Sequence, residues 1–380
     1  MSRHVVILGA GFGGLELATR LAEDLADDVD VTLIDKSEAF VLGYTKLDVM
    51  VGKRDLEEVR LPYRSITKPN VRFHQEMVLA IDPQSRRVVT DAATYDADVL
   101  VVALGADLDV AATPGLAEGG HEFYSPEGAE RVREVLPSFR FGVAVIGVLG
   151  PLFKCPPAPN EAAFMLHDYL VEQGVRDDVT IHLVNPLPIP IPISTETSAA
   201  IVDMLEERGI QHWPSCRVVR LDPERRVAHL EDGRELPYDL FLGVPVHRAP
   251  AVVVDSGLTE DGWIPVDPAT FATRFPGIYA VGDVTSAPVP RAGTIAEGEA
   301  RTLADVLISE VRGSDPPPPY DGAAVCYFEA GGGTVGKVDV NFLSGQAPTA
   351  AFTAPSRDLA DHKTRFGLDR ARRWFGQGTG

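Results

Sequence analysis

The stretch Val5-Val6-Ile7-Leu8-Gly9-Ala10-Gly11-Phe12-Gly13-Gly14 runs a short β-branched strand into a glycine-rich turn. A helical pattern of apolar residues follows from Leu15 to about Leu25, and the next apolar run, Val29 to Ile34, ends on Asp35. Strand, glycine turn, helix, strand and acid, in that order, are the first half of a dinucleotide-binding unit. Gly9 makes the tight turn, Gly11 lets the backbone approach a pyrophosphate, and Gly14 lets the helix pack on the sheet. The helix N-terminus then offers free N–H groups and partial positive charge to phosphate oxygens. Asp35 lies 21 residues after Gly14, where a carboxylate can accept hydrogen bonds from an adenosine ribose. Phe12 and Gly13 inside the turn, and Lys36 after the acid, complete the candidate nucleotide contacts.

The chain repeats itself. Val78 to Pro83, Arg87-Val88-Val89, Tyr95-Asp96 and Val99 to Gly105 have a counterpart in Val218 to Pro223, Arg226-Val227-Ala228, Tyr238-Asp239 and Leu240 to Gly243. Each reads as a strand, an Asp-Pro turn, a second strand and a strand returning to a core sheet. Between the copies, Val143 to Ile146 meets Gly147-Val148-Leu149-Gly150, followed by a helical stretch from Glu161 to Glu172 and the strand Val179 to Val184. The expected architecture is α/β, with two interleaved Rossmann-like dinucleotide-binding domains of glutathione reductase type and a small C-terminal α+β portion. The first domain spans residues 1–110 and 240–314, and the second spans 111–239. A stiff linker, Asp315 to Pro319, precedes residues 320–380, which read as a hairpin (Ala324–Phe328 and Val335–Val340), a loop and a basic helix. The short strand Gly277 to Asp283 ends in Gly282-Asp283, a carboxylate suited to the ribityl chain of FAD. Ala292 to Leu307 reads as a helix whose N-terminus, at Gly293, faces the flavin pyrimidine. Gly105 and Gly293 join the candidate cofactor contacts.

Composition excludes several classes. With 380 residues, 45% of them hydrophobic and 24% charged, the chain is an ordinary globular one. Its 35 Lys+Arg against 55 Asp+Glu give a net charge of −20, which repels a nucleic-acid backbone. The longest apolar stretch, Phe141 to Phe153, falls short of the roughly 18 residues of a membrane span. No signal peptide precedes the first strand, so a cytoplasmic location is expected, with peripheral contact on the inner membrane face left open. Three cysteines, Cys155, Cys216 and Cys326, do not make a disulfide scaffold. No metal site is expected.

Two interleaved dinucleotide folds, the Gly282-Asp283 motif and a C-terminal extension resemble the pyridine nucleotide-disulfide oxidoreductase superfamily. Within it, Lys154-Cys155-Pro156-Pro157-Ala158-Pro159-Asn160-Glu161 and Val325-Cys326-Tyr327 resemble the sulfide:quinone oxidoreductase and flavocytochrome c sulfide dehydrogenase group. The resemblance implies bound FAD, a Cys155–Cys326 pair that cycles between disulfide and persulfide or thiolate forms, Glu161 as proton carrier, and Lys363 near the flavin edge. It implies a small sulfur substrate and a quinone or redox-protein acceptor; a homodimer is one assembly open to it. The chain departs from the group in lacking a third cysteine near His121-Glu122-Phe123-Tyr124, and in Phe40 to Tyr44 it offers no cysteine for a covalent flavin link, so FAD should be non-covalent.

The second unit looks degraded for NADH. One spacing glycine is missing from Gly147 to Pro151, prolines 156, 157 and 159 hinder a regular helix start, and Asn185 stands where NADH readers carry an acid. Cys155, ahead of a helix and beside Lys154, is expected to favour thiolate. Cys216 reads as a buried small hydrophobe. The loop Pro186 to Ile193 is expected to wall the substrate or acceptor pocket. Ser356 to Phe375 carries six Lys/Arg and three Asp, and reads either as a terminal helix docked on the flavin domain or as an amphipathic anchor on an anionic leaflet. The resulting expectation is an FAD-dependent oxidoreductase that oxidises sulfide or a related thiol or persulfide. The alternatives are a type II NADH:quinone dehydrogenase, a flavin-binding protein without turnover, and a biosynthetic flavoenzyme acting on an organosulfur compound.

Overall fold

A computed structural model describes residues 2–345 and 347–376. The opening strand, Arg3–Leu8, lies at the centre of a five-stranded parallel sheet. Its neighbours on one side are Val99–Val102 and Ile278–Ala280, and on the other Val29–Asp35 and Val71–Gln75. The central strands are continuous apolar runs because helices cover the sheet. The turn after the first strand needs its glycines. Gly9 sits at φ +98°, and a Cβ on Gly14 would collide with the carbonyl oxygen of Gly9. The helix Phe12–Leu25 therefore starts hard against the sheet and packs along Gly293–Arg312.

A second parallel sheet has the order His121–Glu122, Leu240–Val244, Gly142–Val148, Val179–Val184, Ile210–Trp213. Each parallel sheet is accompanied by a three-stranded antiparallel one, Val78–Asp82 with Arg87–Thr90 and Thr94–Asp96, and Val218–Asp222 with Val227–Leu230 and Glu235–Pro237. The repeat reaches the backbone: the two Asp-Pro turns end at Arg86 and Arg226, with φ of 56° and 51°. The boundary expected at residue 240 is corrected by the sheet pairing. Leu240–Val244 hydrogen-bonds along Gly142–Val148 and so closes the second sheet; the chain crosses back just after it. There Val246–Arg248 pairs antiparallel with the outgoing Asp107–Asp109, and the Arg248 guanidinium donates to the Asp109 carboxylate.

The C-terminal portion is a three-stranded antiparallel sheet, Ala323–Gly331, Thr334–Asn341 and Thr349–Ser356, followed by the helix Arg357–Phe375. The third strand corrects the loop expected there: residues 349–356 complete the sheet beside Thr334–Asn341. The Ser356 hydroxyl accepts from the Leu359 N–H at 3.2 Å and caps the last helix.

That helix docks on the flavin domain. Trp374 and Phe375 are each 1% exposed, and Trp374 stands edge-on to Phe12 and Phe40 at 5.6 and 5.7 Å. Its indole N–H donates to Glu16 at 2.8 Å. Glu16 is fully buried, which pushes its carboxyl up, but hydrogen bonds from Arg373, Arg301 and Trp374 outweigh burial and hold it below its ordinary range. Among the described residues no helix is long and apolar enough to cross a membrane. Trp374→Ala is expected to lower the unfolding free energy by about 3–5 kcal/mol, as a drop in the urea midpoint of the apoprotein, because it empties a buried ring site and leaves Glu16 short of a donor.

Candidate functional site

A cavity of about 310 Å³ is lined by residues of both dinucleotide units and the C-terminal sheet. One stretch of its wall is glycine backbone: Gly11 and Gly13 at the helix start, Gly105 after the fourth parallel strand of the first unit, and Gly282 beside Asp283. A Cβ on Gly11 or Gly105 would meet nothing within 4 Å, so side-chain space is left open along this edge. The helix Phe12–Leu25 has no side-chain cap and no acid in its first turn, which leaves its N–H groups for an anion. This glycine-lined, uncapped edge running to a carboxylate fits the pyrophosphate and ribityl chain of FAD.

Of the expected cofactor contacts, Gly11, Phe12, Gly13, Gly105, Gly282, Asp283 and Gly293 line the cavity. Gly9 and Gly14 act behind the wall through close packing. Asp35 accepts from the N–H groups of Ala10 and Ser37, both at 2.8 Å, and so braces the turn. Lys36 is exposed and does not line the cavity, because it leaves the strand on the solvent side. Lys363 is likewise absent from the lining. It is 5% exposed, donates to Glu329 at 2.6 Å, lies 3.8 Å from Glu161, and sits 4.7 Å from the ring centroid of Tyr44, which does line the cavity.

The two cysteines expected to act together open onto the same cavity, and each lies within electrostatic reach of the other. Cys155 is held by its backbone: its N–H donates to the Arg291 carbonyl at 2.8 Å, and its own carbonyl accepts from Ala158 at 2.9 Å. Its φ of 55° is a left-handed conformation, costly for a residue with a Cβ. Cys326 lies in the strand Ala323–Gly331, which packs on the helix Ala158–Glu172 that follows Cys155. All three cysteines are free thiols, and Cys216 is buried, its thiol 3.8 Å from Asp232.

The expectation that Cys155 favours thiolate is corrected. Pro157, two residues on, is the helix cap, so Cys155 stands outside the helix, and burial together with Glu161 and Cys326 pushes its thiol far above its ordinary value. Burial, with Glu161 adding to it, raises Cys326 to about 11, opposed by a hydrogen bond with Thr294. Glu161 is 1% exposed, accepts from the Glu329 N–H at 2.9 Å, and is pushed by burial to about 7 although Lys363 opposes it. The loop 186–193 does not wall the cavity; Ile191 is buried in the second unit's core instead. Asn185 turns inward, its amide oxygen accepting from Leu187 at 2.9 Å.

The sequence reading missed Lys46, Tyr124, Arg291 and Glu299. Glu299 accepts from the Gly282 N–H at 2.5 Å and is raised by burial to about 8; Arg291 donates to the Asp283 carbonyl at 3.0 Å and stacks 3.8 Å from the Trp263 ring centroid. No pattern in the neighbouring residues marks them; Lys46 in Thr45–Met50 and Glu299 in Gly293–Arg312 stand out only through their contacts.

The family model for pyridine nucleotide-disulphide oxidoreductases matches residues 3–300. The chain belongs to this family. It is an FAD-dependent oxidoreductase of the sulfide:quinone oxidoreductase-like group. It is 26% identical over 359 residues to the sulfide-quinone reductase of Aquifex aeolicus, covering 87% of this chain and 82% of that one. It is 24% identical over 346 residues to the mitochondrial sulfide:quinone oxidoreductase of Mus musculus, covering 86% and 76%. The type II NADH:quinone oxidoreductase of Staphylococcus haemolyticus is 26% identical over 337 residues, covering 80% and 83%. The solved structure of the Aquifex aeolicus sulfide:quinone oxidoreductase shares the fold with a TM-score of 0.88 at 23% identity, over 98% of this chain and 92% of that chain.

Glu161 supplies a pH test. Its folded value near 7 exceeds the ordinary 4.5, so the folded state binds more protons between the two and its stability falls as pH rises through that window. Glu161→Gln removes this loss. The urea midpoint of the variant should gain on the wild type from about pH 5 to pH 8; parallel pH profiles would show that this carboxyl is not raised.

Proposed function

We propose that this enzyme oxidises sulfide, or a closely related thiol or persulfide, through Cys155 and Cys326 and passes the electrons to a quinone. The observation that carries the reading is two cysteines, far apart in the chain, opening onto one cavity with the glycine edge, Asp283 and Glu161. The sulfide:quinone relatives support the same substrate and acceptor.

The working form has Cys155 and Cys326 joined as a disulfide. Hydrosulfide attacks one sulfur; a new S–S bond forms, the Cys155–Cys326 bond breaks, and the products are one cysteine persulfide and one cysteine thiolate. Glu161, with a value near 7, holds a proton at working pH that it can lend to the departing sulfur or take back. FAD, held non-covalently along Gly11, Gly13 and Asp283, supplies two-electron acceptance and onward transfer when bound. Tyr44, Tyr327 and Phe366 line another part of the cavity wall, with Tyr327 and Phe366 edge-on at 5.6 Å, and these rings supply apolar surface suited to a quinone.

NADH does not suit this site. The chain runs irregularly from Leu149 to Pro157 before its helix begins, and Asn185 offers no carboxylate, its amide oxygen being held by its own turn. Anaerobic sulfide should bleach the flavin band of the wild type, and NADH should not. Cys155→Ser and Cys326→Ser should each retain FAD and lose sulfide-driven bleaching by at least about a hundredfold; bleaching at wild-type rate in both would remove the cysteine mechanism.

A further inference from the structure

The proposed reaction needs a proton from outside the protein. Hydrosulfide gives up two electrons and one proton as its sulfur is oxidised, whereas a quinone takes two electrons and two protons to become a quinol. The balance is HS⁻ + quinone + H⁺ → zero-valent sulfur, carried off as a persulfide, + quinol. One proton per turnover must therefore come from water. Glu161 lines the cavity and is 1% exposed, so it cannot take that proton from bulk water itself.

A file of groups leads outward from Glu161. Lys363 Nζ lies 3.8 Å from Glu161 Oε1 and 2.6 Å from Glu329 Oε1. The Glu329 N–H also donates to Glu161 Oε1 at 2.9 Å, which fixes both carboxyls about the same ammonium. Side-chain exposure rises along the file, from 1% at Glu161 to 6% at Lys363 and 17% at Glu329. Glu329 does not line the cavity, so its open part faces away from it. Asp48, partly exposed on the helix Thr45–Met50, lies within reach of the charges of Lys363, Glu329 and Glu161. A buried lysine needs one carboxylate for pairing, and here three acids surround it.

We propose that Glu329 is the water-side inlet of a proton relay that runs through Lys363 to Glu161 and supplies the proton consumed in quinone reduction. The inference rests on the reading of a quinone acceptor. In the relay step one N–H bond of Lys363 breaks toward the Glu161 carboxylate while another forms with the proton of the Glu329 carboxyl, so the lysine stays charged. Glu329 then takes a proton from water. The gap between Nζ and Glu161 closes by about 1 Å for the transfer, an adjustment that catalytic hydrogen bonds commonly make when ligands bind.

Glu329→Gln keeps an acceptor for Lys363 and removes the transferable proton. The holoenzyme is reduced photochemically, which makes the outcome independent of sulfide, and its re-oxidation by a water-soluble short-chain quinone is followed at the flavin band. Re-oxidation should slow about tenfold or more in Glu329→Gln, and acetate, a small weak acid that delivers protons, should restore it in proportion to its concentration. Glu329→Asp should slow less. A second readout needs no turnover. The infrared carbonyl band of protonated Glu161, identified by its loss in Glu161→Gln, is followed after resting holoenzyme is mixed into D2O at about pH 6, below the value of about 7 to which burial raises this carboxyl. The other groups facing it, the Cys155 and Cys326 sulfurs and the Tyr124 hydroxyl, are pushed up by burial and carry no charge at that pH. Deuterium exchange of the band should also slow about tenfold or more in Glu329→Gln. Wild-type rates in both readouts overturn the inlet. Slow re-oxidation that acetate does not restore, with wild-type exchange, also overturns it and leaves Glu329 as a packing partner. Should Glu329→Gln lose FAD, Glu329→Asp decides by the same two readouts. Failure of the quinone to re-oxidise the wild type would sink the proposed acceptor, while the exchange still decides the inlet.

Discussion

The placing of one buried lysine between two glutamates joins three elements at the wall of the cavity. Lys363, on the last helix, donates to Glu329 at 2.6 Å and lies 3.8 Å from Glu161, whose carboxylate takes the Glu329 backbone N–H. Three elements distant in sequence are joined at one point: the helix after Cys155, the strand that carries Cys326, and the terminal helix. Burial raises Glu161 despite the opposing charge of Lys363, and the second carboxylate, Glu329, adds a smaller push in the same direction. In the proposed reaction, the structural knot and the proton reservoir are the same atoms. Breaking such a cluster from one side leaves an uncompensated buried charge, which costs more than the intact pair contributes.

The cavity beyond the knot is governed by desolvation. Burial raises both thiols, Glu161 and Glu299, and lowers Lys46. All these shifts favour neutral forms, as a low-dielectric pocket requires.

The basic C-terminal helix shows how composition misleads when its partner is out of view. Its arginines suggest an anionic surface, and the surface they meet is internal. Arg370 pairs with Glu297, and Arg373 with Glu16 and Glu23, acids on the two helices that flank the first sheet. Trp374 and Phe375 then fill the space beside Phe12 and Phe40, so the last helix seals the floor of the flavin domain.

Local chemistry made much of this legible in the residues alone. The Gly9 to Gly14 turn, the repeated Asp-Pro hairpins, Gly282-Asp283 and the degraded second turn are short-range patterns whose backbone demands are written in neighbouring residues. They specified two interleaved dinucleotide folds and the cofactor edge, while the cysteines to watch came from the resemblance to a known family. The site residues that escaped, Lys46, Tyr124, Arg291 and Glu299, carry no local signature; each matters because of a neighbour from another part of the chain. The same holds for the strand Leu240–Val244, which could have closed either sheet until its hydrogen-bond partners were known, and for Cys155, whose protonation follows from burial and not from the helix ahead of it. Backbone geometry is a property of a few consecutive residues and can be read from them. Burial and charge pairing are properties of what surrounds a group, and only the tertiary structure decides them.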